Sequence, residues 1–325
     1  MIARIARALR SRAPHSFAPL ALGVALAACQ DASTPSAPEA HAEIVGPACG
    51  PVPCQLAPPK ILFSRYVDRT YMIYSVKADG TGLTFLGQGS QPTWSPDFKK
   101  VAFTPTPLGG GIYTMNADGT GRTQITFGQY DTDPSWSADG TTIAFAGRTS
   151  TSYDIHFVPA GGGQPTRLAA NDLADERSPS WSPNGTQIVA TIYTANIGNN
   201  LIVLDVVGNG GHVLSGGPVP KRQPTWSPDG TKVAFIINVP GVSGCGIMVV
   251  SPNGFVDDGL GATPFPAPVQ KCGSPSWSTD SKSLAFSMRL PNGTSAIGRA
   301  LLDGSGFKQV TSGFYVDDYP SFSRN

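Results

Sequence analysis

One unit recurs along the chain and limits the possible folds more than any other feature. Gln223 to Phe235 reads QPTWSPDGTKVAF. Close copies begin at Gln91 (QPTWSPDFKKVAF), Asp133 (DPSWSADGTTIAF), Ser178 (SPSWSPNGTQIVA) and Ser274 (SPSWSTDSKSLAF). All five tryptophans, Trp94, Trp136, Trp181, Trp226 and Trp277, sit in these copies at spacings of 42, 45, 45 and 51 residues. That period is the length of a four-stranded propeller blade.

Each unit divides the same way. A short strand carries P-x-W, and a Ser-Pro-Asp-Gly turn follows, with Pro pre-setting the second turn position and Gly at the fourth. A second strand such as Val233-Ala234-Phe235 comes next, then a third such as GIYTMN (111–116) or LIVLDV (201–206). A Gly-rich turn such as NADGTG (116–121) leads to a short outer strand. Short strands between regular turn signals argue all-β, and no long stretch has the 3.6-residue apolar period of a helix. The 38 Gly and 30 Pro fit such a turn-rich chain.

Residues 60–86 look like a unit that lacks its first strand. The chain ends in Tyr319-Pro-Ser-Phe-Ser, which matches that missing strand with Phe322 in place of Trp, 45 residues after Trp277. The sequence therefore predicts a six-bladed propeller of four-stranded blades over 60–325, closed by the C-terminal strand joining the first blade. Closure of this kind hides sheet edges. The tryptophans are expected to fill the wedges between blades, and the Asp of SPDG to bond local backbone.

The pattern P-[ST]-W-S-P-D-G-x-x-[IV]-A-F followed by I-Y-x-M-N-A-D-G resembles the TolB-like propeller repeat, a WD-like repeat of bacterial envelope proteins. The resemblance covers 60–324. It implies the propeller fold and an envelope setting, and it is specific for fold rather than function. The family's namesake carries a further domain before its propeller, for which the 30 or so residues ahead of the first blade leave no room. The expectation is a lipoprotein-type relative and not the Tol-system component itself.

That expectation rests on the N-terminus. Arg4, Arg7, Arg10 and Arg12 precede an apolar stretch from Phe17 to Ala28, too short to span a bilayer comfortably. Leu26-Ala27-Ala28-Cys29 resembles a lipobox, which implies a signal peptide over 1–28 and lipid on Cys29. Gln30 after the cysteine implies the outer membrane. Residues 29–59 hold many prolines and few large apolar residues, and read as a flexible tether. Cys49 and Cys54 within it could form a local disulfide in an oxidising compartment. The chain has 23 Lys and Arg against 22 Asp and Glu. Removing the leader's four arginines leaves 19 against 22, a net charge of −3, with no basic run. That argues against nucleic acid as a partner. Membrane contact is then expected only through the lipid, and the protein is expected to be a monomer.

Catalytic signals are sparse. There is no G-x-S-x-G elbow, no H-E-x-x-H and no C-x-x-C pair. His156 and His212 fall in different blades, and no cofactor is expected. The informative positions precede the innermost strands, where each segment crosses one face of the ring and descends into the channel. Asp131, Asp133, Glu176, Asp317 and Asp318, with the bases Lys221 and Arg222, are the candidate ligand-binding residues. The acids are expected at a solvated rim, where a cation such as calcium or a basic partner segment could dock. The variable loops 106–111, 148–154, 193–200 and 238–246 fall on this same face, and variable loops on a rigid scaffold commonly carry binding. Cys245 and Cys272, in adjoining blades on that face, are the candidate disulfide, which needs Cα atoms within about 7 Å. Together these residues point to a non-enzymatic scaffold for a protein, peptide or glycan. The alternative is a carbohydrate-active enzyme, an oligosaccharide lyase or hydrolase, with paired carboxylates at the channel mouth.

Overall fold

The computed structural model describes residues 59–323, apart from 150–151, 169–174, 195–197, 208–209, 218, 239–244, 255, 258–262 and 265–271. The leader, the tether and Cys29, Cys49 and Cys54 lie outside the described residues, as do the side chains of Cys245 and Cys272. Leu56–Asn325 forms one compact unit. Every regular element described in it is a strand, and the sheets are arranged as a β-propeller.

Four sheets have four strands each. Ser90–Trp94, Lys100–Thr104, Tyr113–Asn116 and Thr123–Gln124 make the first, in sequence order from the channel outward. Thr132–Trp136, Thr142–Arg148, Tyr153–Pro159 and Thr166–Arg167 make the second. The third runs from Asp175–Trp181 to Gly211–Val213, and the fourth from Lys221–Trp226 to Thr263–Pro264.

The expectation of six four-stranded blades is corrected here, because the structure has four. Eight further strands form one sheet that joins the last repeat, from Cys272–Trp277, to the chain's first strands, Lys60–Val67, Thr70–Lys77 and Thr84–Gln88. The link is a parallel pairing of Ser295 with Val316. Its cause is the segment leading into Val316–Phe322. That segment returns beside residues 294–295, where Ser295 N donates to Tyr315 O (3.2 Å), Ser295 Oγ to Asp317 O (2.9 Å) and Thr294 Oγ1 to Gly313 O (2.5 Å). Val316–Phe322 then runs antiparallel to Lys60–Val67, with Ile61 opposite Phe322 and Arg65 opposite Asp317. A short parallel ribbon of Ser215–Gly216 and Val256–Asp257 is a further element that the repeat did not predict.

The repeated turn is built by its own side chains. Ser95 Oγ donates to Asp97 Oδ1 (2.6 Å), which also accepts Lys99 N (3.1 Å), while Lys100 N donates back to Ser95 Oγ (2.9 Å). Ser137 with Asp139, Ser182 with Asn184, Ser227 with Asp229 and Ser278 with Asp280 repeat the arrangement. These bonds, the serine hydroxyl first, hold the Asp97 and Asp139 carboxyls below the usual carboxylate range. The fourth turn residue is left-handed, which explains the glycines at 140, 185 and 230. Phe98 and Ser281 adopt the same conformation at φ 59° and 57°.

Apolar clusters lie between neighbouring sheets. One joins Ala102, Ile112 and Ile125 to Trp136, Ile143, Phe145 and Val158 of the next sheet. Trp136 Nε1 donates across that boundary to Thr93 O (3.3 Å), and Trp277 Nε1 to Thr225 O (3.1 Å). Trp94, Trp136, Trp226 and Trp277 are buried, while Trp181 is half-buried against Phe157. Trp136 and Trp277 thus tie their strands to the sheet before, while the others contribute through packing.

Candidate functional site

Six inner segments enclose the channel. In each, the residue before the proline, Gln91, Asp133, Ser178, Gln223, Ser274 or Tyr319, has a left-handed backbone with φ between 43° and 55°. The strand pairing shifts register across every one of these residues. A residue ahead of proline ordinarily stays extended. Here a β-bulge turns it so that its side chain points into the channel. The constriction they line holds about 200 Å³.

These side chains bond from one sheet to the next. Gln91 Nε2 donates to Asp133 Oδ1 (2.6 Å), and Gln91 Oε1 accepts from Thr104 Oγ1 (3.1 Å) and Thr132 Oγ1 (2.7 Å). Asp133 Oδ2 accepts from Ser178 N and Oγ, both at 3.2 Å. Gln223 Oε1 accepts from Ser274 N (3.0 Å). The constriction is therefore polar, and these bonds brace it across three of its six boundaries.

Above it opens a basin of about 440 Å³ lined by Gln91, Asp133, Arg177, Arg222, Gln223, Asp318 and Tyr319, among others. Asp133 and Asp318 are half-buried in its wall. Desolvation raises both carboxyls above their ordinary range, against the pull of their hydrogen bonds. Those bonds come to Asp318 Oδ1 from Ser287 Oγ (2.5 Å) and Tyr319 N (2.8 Å). Burial, and then the charges of Asp318 and Asp133, push the Tyr319 phenol up in turn, so the three groups share one electrostatic environment.

The other predicted acids do not reach the basin. Asp131, Glu176, Lys221 and Asp317 stand two residues before the left-handed position, where a solvated rim was expected, and all four are buried. Each is buried among different partners. Asp131 Oδ2 accepts from Thr126 Oγ1 (2.6 Å) and Gly128 N (3.0 Å). Lys221 Nζ donates to Gly216 O and Val219 O. Asp317 binds Arg65 through two bonds of 2.7 and 2.8 Å, and the guanidinium also lies over Phe63, Tyr74 and Tyr315.

Glu176 accepts from Ile155 N and feels the charge of Asp154, whose Oδ1 accepts from Arg167 Nη2 (2.8 Å). Burial first, and Asp154 second, raise the Glu176 carboxyl to about 7. Among the described residues no group of three or more His, Cys, Asp or Glu side chains is placed to hold a metal ion.

Arg222 remains exposed, with Nη2 donating to Asn238 Oδ1 (2.7 Å). The sequence reading missed the five ring residues other than Asp133, although all stand at the fixed x-Pro position of the repeat. Arg177 also stands at the basin edge, its guanidinium 3.7 Å from the centroid of Tyr153.

Sheets disposed about one polar channel with a basin at its mouth define a β-propeller. The chain belongs to the TolB beta propeller domain family, which it matches over residues 77–263, more than half its length. Solved structures agree at the level of fold. TolB from Acinetobacter baumannii superposes with a TM-score of 0.69 at 20% identity, covering 82% of this chain and 67% of that one. A putative TolB from Agrobacterium tumefaciens gives 0.62 at 15% identity, covering 83% and 100%. An oligogalacturonate lyase from Vibrio parahaemolyticus gives 0.50 at 13% identity, covering 78% and 72%. No match was found among curated proteins.

Proposed function

We propose that this chain is a non-enzymatic binding scaffold of the bacterial envelope. Lipid on Cys29 anchors it, the 29–59 tether gives it reach, and its mouth face meets a protein, peptide or glycan partner. The observation that carries this reading is the basin above the bonded ring. Its floor is braced by hydrogen bonds between sheets, while Arg177 and Arg222 stand exposed at its edge. A braced floor with exposed, already positioned charged groups above it costs little ordering on binding. Family membership supports the envelope setting.

The second reading is a carbohydrate-active enzyme. It draws on Asp133 and Asp318, two desolvated carboxyls around one tyrosine in one concavity. Against it, at least one oxygen of each carboxylate is already committed to the hydrogen bonds described above.

Photo-crosslinking in cells separates the two readings. A crosslinking residue in place of Arg222 should capture an envelope partner in the membrane fraction, and one in place of Lys232, on the opposite face, should not. In a Cys29→Ala background the Arg222 product should leave the membrane fraction. Capture from position 232 alone would overturn the scaffold face. Saccharide cleavage by the purified protein that Asp133→Asn abolishes would establish the enzyme.

A further inference from the structure

The mouth face carries a charge pattern opposite to the one its acids suggest. With Asp131, Glu176 and Asp317 buried, the exposed charges at this end are mainly guanidinium. Arg69, Arg148, Arg177, Arg222 and Arg289 are exposed there, against exposed Asp68 and half-buried Asp133, Asp175 and Asp318 among the residues whose side chains are described. The solvent-reaching lysines lie at the other end, on turns and strand ends such as those at Lys99, Lys100, Lys232 and Lys282. Lys221, the one described lysine at the mouth, is buried.

Three of these arginines, Arg148, Arg177 and Arg222, are held in place. Arg148 lies over Tyr130 (4.9 Å) and Tyr153 (5.9 Å), and Arg177 lies over the same Tyr153 at 3.7 Å. Tyr130, Arg148, Tyr153 and Arg177 thus form one alternating stack that runs along the rim and ends at the basin. Stacking fixes the plane of a guanidinium and leaves its N–H edge for a carboxylate, as where Arg177 Nη2 lies 3.5 Å from Asp175 Oδ2, an arrangement that lysine cannot reproduce. Beside the start of the stack, Leu108 and Phe127 are 81% and 82% exposed, and residue 109 packs against Tyr130. Exposed aromatic and apolar side chains with arginine, and without lysine, are the composition of the core of a protein–protein interface.

We infer that the mouth face docks an acidic polypeptide segment of a partner protein. Its carboxylates pair with Arg148, Arg177 and Arg222, and its apolar side chains lie against Leu108, Phe127 and Tyr130. This rests on the scaffold reading and deepens it by naming the partner's chemistry. The apolar anchors favour polypeptide over an anionic glycan, whose hydroxyl-rich surface would leave Leu108 and Phe127 unmatched. The concavity favours an extended segment over a lipid surface, which cannot enter a basin.

The test is fluorescence anisotropy on the full chain with a labelled twelve-residue peptide of alternating Glu and Leu, and with its Lys and Leu counterpart. The Glu peptide should bind and weaken steadily as NaCl rises. The triple change of Arg148, Arg177 and Arg222 to Gln should weaken it at least tenfold. The same three changed to Lys should also weaken it, because the fork and stack are lost while charge is kept. Gln at Lys99 and Lys232 should move it less than twofold.

Tighter binding of the Lys peptide would overturn the inference. So would preference for polygalacturonate or for phosphatidylglycerol vesicles over the Glu peptide, or indifference to all three arginines in both variants. If the Glu peptide fails while the Arg222 crosslink persists, the acidic class is wrong and the scaffold stands. If crosslinks come from position 232 alone, the face itself is wrong.

Discussion

The two ends of the channel solve the problem of charged side chains in opposite ways. At the turn face, each Asp bonds a serine and a backbone N–H within five residues, and the pattern repeats from sheet to sheet. At the mouth, four equivalent positions hold Asp131, Glu176, Lys221 and Asp317, each buried with different partners, some from distant sequence. A local solution can be copied, so the turn face is uniform. A solution that depends on tertiary partners can change sheet by sheet, and the face that carries it is free to specialise.

The largest way to break this comparison is to remove a buried charge at the mouth. Asp317→Ala would strand the Arg65 guanidinium among Phe63, Tyr74 and Tyr315 and unpin the strand that pairs with Lys60–Val67. Breaking a buried pair by deleting one partner costs about 3–5 kcal/mol. Urea unfolding should show a loss of that size. A loss below about 1 kcal/mol would mean that Arg65 finds water, and that the mouth charges are surface charges after all.

Glu176 sharpens the comparison through pH. Its carboxyl holds a proton up to about 7 in the folded protein and near 4.5 when unfolded. Between those values the folded state binds more protons, so stability falls as pH rises. The contribution is complete below about 4.5 and is lost as pH climbs through 7, with an upper bound of roughly 3 kcal/mol. Asp154, Arg167, Asp175, Arg177 and His156 lie close by, so the informative quantity is the difference between wild type and Glu176→Gln. That difference should favour the variant increasingly from pH 5 to 8. A constant difference over this range would show that Glu176 is ionised throughout.

The same contrast explains what the sequence made visible. The Ser-x-Asp turns, the strand order within each unit and the intersheet tryptophans follow from local chemistry, and they could be read from five copies. The six x-Pro positions were visible as a pattern. Their left-handed backbone was not, because the residue before proline is normally extended and a bulge overrides that preference only in the folded sheet. The burial of Asp317 depends on Arg65, 252 residues away, and no spacing rule reaches so far. Val316 joining Ser295 merged two units into one sheet through a single pair, for which the repeat carries no signal. At the mouth the segments were legible in the repeat, and the burial of Asp131, Glu176 and Asp317 was not. Counting acids does not show which ones the folded chain will cover.

The smallest effect belongs to the turn face, and its value lies in being local. Asp229 Oδ1 accepts from Ser227 Oγ (2.6 Å), Thr231 N (3.0 Å) and Thr231 Oγ1 (2.9 Å), while its own N–H donates to Ser281 Oγ (3.1 Å). Asp229→Ala removes the three accepted bonds and keeps the backbone donor. The freed groups lie at the surface and can turn to water, so the expected loss is about 1 kcal/mol and not the sum of three bonds. Gly230 still supplies the left-handed turn residue, so the strands should keep their register. Urea unfolding would give the loss, and Glu-peptide anisotropy should not change. A loss comparable to that of Asp317→Ala, or a shift in peptide affinity, would show that the two ends of the channel are coupled and that the division between a copied face and a specialised one does not hold.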